Sequence, residues 1–315
     1  MRSTNVVETI ARALRSATLL VALAGLSWTA FAAAPQRTFE SAEQAADALF
    51  AAVKAHDRNA ILAILGSSAA DAISSGDPVA DRALGERFAA AFAEKHAVAA
   101  QGDGKAELSI GPEDSPFAYP LVKSEKGWRF DTTAGNAEVL ARRVGQNELA
   151  AINVMLAIVD AQRDYASADR DKDGVRQYAR KFASTPGKQD GLYWRTAAGE
   201  PPSPLGPLVT RAAGEGYQKG DAPQPYHGYF FRPLRAQGAN AKGGALDYIV
   251  GGHMIGGFAA IAYPARYGNS GVMTFIVNHD GVVYQKDLGP QTARLAAEIK
   301  RFDPGPGWTA VQPTP

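Results

Sequence analysis

An α+β fold is what this sequence predicts, and three observations predict it. Helical periodicity precedes strand alternation twice along the chain, once on each side of residue 136. The strand segments are punctuated by turn residues such as Asp280-Gly281, which suit antiparallel hairpins. The 315 residues are 46% hydrophobic and 21% charged with no Cys, so the chain has apolar material for two cores and no disulfide to hold them. The same lack of Cys excludes a thiol nucleophile, a Cys-ligated zinc and a lipoprotein anchor.

Residues 1–32 read as a secretory signal. Arg2, Arg12 and Arg15 supply the basic start, and Ala17 to Ala34 is apolar apart from Ser27 and Thr29. Ala30-Phe31-Ala32 matches the small-residue pattern of a cleavage site. The alternative is an uncleaved anchor, since the run is just long enough to span a bilayer. The cleavage residues, and the lack of a second apolar span, favour removal after Ala32. The chain carries 33 basic and 32 acidic residues; removal takes three basic and one acidic with it, for a net charge of −1. The expected destination is the periplasm or the outside of a bacterium, with no membrane span left. So even a charge balance speaks against a dedicated nucleic-acid binder.

The first domain is expected over residues 36–135. Ser41 with Gln44 makes a helix start, and Ala45, Ala48, Leu49 and Ala52 recur at helical spacing. His56-Asp57-Arg58-Asn59 interrupts, and a second helix, Ala60 to Leu65, stops at Gly66. A third helix is expected over about Pro78 to His96, with Leu84, Phe88, Ala91 and Phe92 inward. Strands follow at Ala106–Ile110, Phe117–Lys123 and Gly127–Asp131. The phrase Ala45 to Asp57 and the strand Gly127-Trp128-Arg129-Phe130 resemble the opening helix and closing hairpin of cystatin/nuclear-transport-factor-like cone folds. Such folds host enzymes and inert binding modules alike. His56 and Asp57 fit a helix–helix connection better than a base and its orienter.

The second domain is expected over residues 136–310. A long helix begins near Asn136 or Asn147 and reaches about Ala168, with Ala151, Val154, Ile158, Ala161 and Tyr165 along one seam; Gly145 is a potential break. Gly199 to Pro225 reads as a long Pro/Gly-rich surface loop. Strands are expected at Gly228–Ala236, Leu246–Val250, Gly257–Tyr263, Val272–Asn278 and Val282–Lys286. A closing helix, Gln291 to Arg301, should turn Leu295 and Ile299 inward.

The segments Asp190-Gly191-Leu192-Tyr193-Trp194, Tyr226-His227-Gly228-Tyr229, Tyr267 through Phe275 and Gly281 through Gly289 are similar to those of an exported bacterial family catalogued as a domain of unknown function, family 2950. The resemblance covers nearly all of the mature chain. It implies an exported α+β protein and carries over no functional residue, because the family has none established. The second half also resembles type IV pilin and pseudopilin heads, in which a long helix packs on an antiparallel sheet. It departs from them upstream of that helix, where Glu138, Arg142 and Arg143 replace an apolar stalk.

Asp169-Arg170-Asp171-Lys172-Asp173-Gly174 is the sharpest chemical motif. Oxygens at alternating positions before a glycine are how a short loop wraps calcium, with the Val175 carbonyl and Gln177 continuing the set. The twelfth position is Arg180 instead of Glu, so a last ligand has to come from elsewhere, with Asp190 a candidate. The competing reading is a solvated acidic turn. His56, His96, His227, His253 and His279 form no zinc spacing, and Gly268-Asn269-Ser270-Gly271 is turn chemistry and not a nucleophile elbow. No catalytic residue is assigned. Tyr193, Trp194, Tyr217, Tyr226, Tyr229, Phe230 and Phe231 cluster around the Pro/Gly stretch, either as a surface for a protein, peptide or glycan partner or as packing. Trp194, Tyr226, His227, Tyr229 and Asn269 are the candidate binding residues. The function expected is non-catalytic binding or scaffolding in the envelope. The alternative is an exported hydrolase using His227 or His253 with a carboxylate.

Overall fold

The computed structural model describes residues 35–218 and 223–312. The expected leader, residues 1–32, lies outside them. Both helices and antiparallel sheets are present, so the α+β class stands.

The first half opens with α1 (Ala42–Lys54), capped by Ser41, whose Oγ accepts the Gln44 N–H at 3.2 Å. Its Ala45, Ala46, Leu49 and Ala52 are buried. Asp57 caps α2 (Arg58–Leu65), which ends at Gly66, φ +98°. Asp77 caps α3 (Pro78–Glu94). The strands β1 (His96–Ala100), β2 (Lys105–Ile110), β3 (Ser115–Pro116), β4 (Leu121–Ser124) and β5 (Gly127–Phe130) form one antiparallel sheet in the order β1-β2-β4-β5, with β3 also on β2. Leu49, Ile64, Phe92, Leu108, Leu121 and Phe130 fill this first core.

Three expectations change here. The third helix stops at Glu94, and His96 starts a strand that the alanine-rich run His96–Ala100 had hidden. Leu84 faces solvent at 48% exposure, while Phe88 and Phe92 carry the burial. Phe117–Lys123 is not one strand: Phe117 to Pro120 leaves the sheet and buries Tyr119 under Gly135, where a Cβ would lie 1.9 Å from the ring.

The long helix is α4 (Thr132–Ala166), 35 residues and about 50 Å long. It begins earlier than expected because Asp131 caps it, accepting the N–H groups of Thr133 and Ala134 at 3.1 Å. Gly145 does not break it; one interior glycine costs about 1 kcal/mol, which a helix packed along so much of its length absorbs. The expected domain boundary at 135/136 thus falls inside α4. Its first turn buries Thr132 and Gly135, and its second half packs Ala151, Met155, Ile158 and Val159 on β11 (Ala259–Pro264) and β12 (Met273–Asn278).

These strands belong to a second antiparallel sheet, completed by β6 (Tyr229–Leu234), β13 (Tyr284–Asp287) and β14 (Thr309–Ala310) in the order β14-β13-β12-β11-β6. Both faces of β12 are buried, with Phe275, Ile276 and Val277 at 0% exposure. Short pairs flank the sheet: β7 (Ala236–Gln237) with β8 (Leu246–Asp247), and β9 (Ile249–Val250) with β10 (His253–Met254). Residues 199–225 are not all loop, since α5 (Gly206–Gly214) forms within them, with Pro207 in its first turn, where a missing N–H costs nothing. The closing helix shortens to α6 (Thr292–Glu298), which buries Thr292 and Ala296, while Leu295 and Ile299 are only partly covered. Among the described residues no helix is long and apolar enough to cross a membrane.

Candidate functional site

Tyr226-His227-Gly228-Tyr229 closes on itself: the Tyr226 N–H donates to the Tyr229 carbonyl at 2.9 Å, and the Tyr229 N–H returns to Tyr226 at 3.1 Å. φ is +48° at His227 and +72° at Gly228, the two positive values of a type I′ turn. At Gly228 a Cβ would lie 2.6 Å from Asn147 Nδ2 and 2.9 Å from Ser270 Cβ, so the position needs glycine for space as well as for φ. His227 accepts the left-handed conformation that most side chains resist. The turn sets its Nε2 3.3 Å from Glu215 Oε2, an ion pair when the imidazole is protonated. Tyr226 lies 4.2 Å from the His227 ring, and Tyr217 meets Tyr226 edge-on at 4.9 Å.

Beneath this half-exposed pair sits Asp77, 1% exposed. Its Oδ1 accepts the N–H groups of Val79 at 3.2 Å and Ala80 at 3.1 Å, at the positive end of α3. Its Oδ2 accepts the Tyr217 hydroxyl at 2.7 Å and the Gly228 N–H at 3.3 Å. Burial, then the Asp77 carboxylate, pushes the Tyr217 phenol pKa up. Burial, then Glu215, pushes Tyr226 to about 12. Both phenols are therefore protonated donors at neutral pH.

A second polar group joins the two halves nearby. Asn269, 7% exposed, accepts from Arg143 Nη1 at 2.9 Å and donates to the Asp71 carbonyl at 2.6 Å. Arg143 Nη2 donates to the Ala72 carbonyl. Arg266 donates to the Ser74 carbonyl at 2.7 Å and to Asp71 Oδ1 at 2.8 Å. Desolvation lowers the Arg143 pKa, and Asp81 works against it. The loop 71–77 is thus clamped by side chains from α4 and from the turn before β12.

The candidate binding residues separate under this geometry. Tyr226 and His227 meet at the turn. Tyr229 does not face a partner: it is 0% exposed in the second core, its hydroxyl donating to the Met273 carbonyl at 2.9 Å. Burial puts it on the inner face of β6. Asn269 is likewise spent on clamping, since both ends of its amide have protein partners. Trp194 lies apart, partly buried and edge-on to Tyr165 at 6.4 Å.

Carboxylate oxygens of Asp169, Asp171 and Asp173 come within 4.8 Å of one another. Desolvation, then Asp173, raises the Asp171 pKa. Gln177 departs from the expected ligand role. Its Nε2 donates to Asp171 Oδ2 and Asp173 Oδ2, each at 2.9 Å, and its Oε1 accepts the Met254 N–H at 3.0 Å, so its oxygen is already used. Val175 donates its own N–H to Asp173 Oδ1 at 2.9 Å. Asp190, the candidate last ligand, instead binds Lys181 at 2.7 Å and Thr185 at 2.8 and 2.9 Å. Burial works upward on its pKa, but these bonds hold it at about 2. His253 Nδ1 is 3.2 Å from Asp173 Oδ2. His227, His253 and Asp190 thus each face a different partner.

Sequence reasoning passed over Asp77, Glu215, Arg143 and Arg266. Asp77 had a signal, an Asp before Pro78 at a helix start; the other three had none. No curated protein and no solved structure matches the chain. One family model, described as a protein of unknown function (DUF2950), matches residues 36–311, which is most of the sequence. The chain therefore belongs to that family, as the phrases around Tyr193, His227, Asn269 and Tyr284 had suggested.

Proposed function

We propose that this protein is exported to the periplasm or cell surface of a bacterium and works there by contact, binding or scaffolding an envelope protein, a peptide or a glycan. The observation that carries the reading is how the polar groups are spent. Asp77, Asn269, Arg143 and Arg266 tie one half of the chain to the other, the first two buried and the arginines partly so, and donors and acceptors committed in this way hold a rigid platform rather than a reacting centre. Tyr226 and His227, partly exposed on a fixed turn, supply aromatic contact area of the kind that anchors interfaces.

The test has two arms. Cell fractionation should find the mature chain, starting near Ala33, outside the cytosol. The purified chain should show no turnover on a panel of esters, peptides and glycans.

One observation favours a second reading. His227 and Glu215, 3.3 Å apart and each about a third exposed, have the composition of an acid–base pair. In that reading the protein is an exported hydrolase, and turnover abolished by His227→Ala would replace the first reading with the second. The loop Asp169–Gly174 is further proposed to hold calcium in a structural role, through the three carboxylates and the Val175 carbonyl. Ion binding there requires the Gln177 amide to withdraw from Asp171 and Asp173.

A further inference from the structure

The first sheet leaves one edge open. On the outer side of β5, Phe39 exchanges N–H and carbonyl bonds with Trp128, each at 2.8 Å. In the second sheet, β14 is only two residues long and β6 carries Pro233, which has no N–H to offer. β1 has none of these protections. Its five residues, His96–Ala100, include no charged side chain and no proline, and all but Val98 are exposed. Among the described residues it pairs only with β2. We propose that this edge docks a second copy of the chain, β1 against β1, antiparallel about a two-fold axis at Val98. The inference stands apart from the export and scaffolding reading.

Backbone direction fixes the register. The Gly111 N–H donates to the Lys95 carbonyl at 2.8 Å, and the Gln101 N–H to the Lys105 carbonyl at 2.9 Å. Antiparallel bonding alternates along a strand, so Lys95, Ala97, Ala99 and Gln101 turn their peptide groups toward β2. His96, Val98 and Ala100 therefore turn their N–H and C=O groups to the open edge. An axis at Val98 sets Val98 against itself and His96 against Ala100, so that every outward donor meets an outward acceptor. An axis one residue either way throws an outward residue against the end of α3 or against Gly102, whose φ of +97° is not that of a strand.

The side chains suit this register. Val98 packs on the first core, so Ala97 and Ala99 lie on the opposite face. Across the axis they form the close, non-hydrogen-bonded pairs, at a Cα separation of about 4.5 Å, where small side chains fit best. No like charges meet: Lys95, which falls opposite Gln101, is already held by Asp114 at 2.6 Å. On the core face His96 stacks on Phe92 at 3.8 Å and its Nδ1–H donates to the Phe92 carbonyl at 2.9 Å, which fixes the ring where it covers Ala100 across the axis. A two-fold axis uses the same edge on both copies, so assembly stops at two.

The experiment reads amide hydrogen exchange of ¹⁵N-labelled mature protein from about 10 μM to about 1 mM, beside sedimentation velocity. A strand-sized contact should give a dimer with a Kd of the order of 0.1 mM. The amides of His96, Val98 and Ala100 should gain protection as concentration rises, while those of Ala97 and Ala99, bonded to β2, stay protected throughout. Ala97→Lys with Ala99→Lys, at exposed positions, puts like charges opposite each other and should weaken the dimer at least about tenfold with an unchanged circular dichroism spectrum. Mixing that double variant with Ala97→Glu plus Ala99→Glu should restore pairing, which only this register predicts. A chain still monomeric at about 1 mM, a dimer indifferent to the lysines, or protection centred elsewhere would each overturn the proposal. So would protection of the three amides by an added Thr-Val-Thr-Val-Thr peptide while the chain alone stays monomeric, which would give the edge to a different partner.

Discussion

Replacing Asp77 with alanine removes the acceptor of four hydrogen bonds in one step. Two of them cap α3, and losing an Asp cap costs about 1 kcal/mol. The third leaves the Tyr217 hydroxyl without its charged acceptor, for about 2 kcal/mol, and the fourth strands the buried Gly228 N–H, for about 1 kcal/mol. Releasing the carboxylate from burial returns part of this, so the net loss should be about 3 kcal/mol. Urea unfolding of the mature protein, followed by tryptophan fluorescence and by far-ultraviolet circular dichroism, measures it. Tyr217→Phe alone should cost about 1.5 kcal/mol. The double variant should lose less than the sum by about 1 kcal/mol, because both changes break the same bond. An Asp77→Ala protein within about 0.5 kcal/mol of the original, or strict additivity in the cycle, would refute the idea that this carboxylate ties the His227 turn to α3.

Gly228→Ala should destabilise by more than about 2 kcal/mol, since it combines a positive φ with a Cβ 2.6 Å from Asn147; a thermal midpoint shifted by less than 1 °C or so would count against the turn geometry. Asp190 is held at about 2, below its ordinary 3.8, so its pairing stabilises the fold above about pH 4 and is lost as pH falls through about 2. Asp190→Asn should therefore cost about 1 kcal/mol at pH 6, after allowance for partial solvent screening, and only a small fraction of that at about pH 2, as read from denaturant midpoints at the two pH values. Saturating calcium should raise the melting midpoint by about 3 °C or more over chelator, and Asp171→Asn with Asp173→Asn should remove the shift; equal midpoints would end the calcium reading.

Much of the local structure was legible because its causes lie within a few residues. Ser41 before an alanine-rich periodic run, Gly66 after Leu65 and Gly281 in its turn each act on neighbouring backbone. The errors were also local in kind. His96–Ala100 is a strand with a single branched residue, Val98, among alanines, and α5 hides among prolines and glycines because only Leu208 and Val209 of its nine residues are large and apolar. Asp131, expected as the last residue of a strand, lies just past β5 and caps α4 instead.

By itself the amino-acid order determined the two alternations of helix and strand, the family, and the absence of any disulfide, since periodicity and composition act over a turn or a strand at a time. The folded chain alone decided which polar groups meet. Asp77 reaches Tyr217 across 140 positions and Asn269 reaches Asp71 across 198. Tyr229 and Tyr226, three residues apart, part company, one into the core and one onto the turn. Hydrogen bonds of that span follow from how two apolar cores settle against a shared helix, and no window along the chain contains both partners.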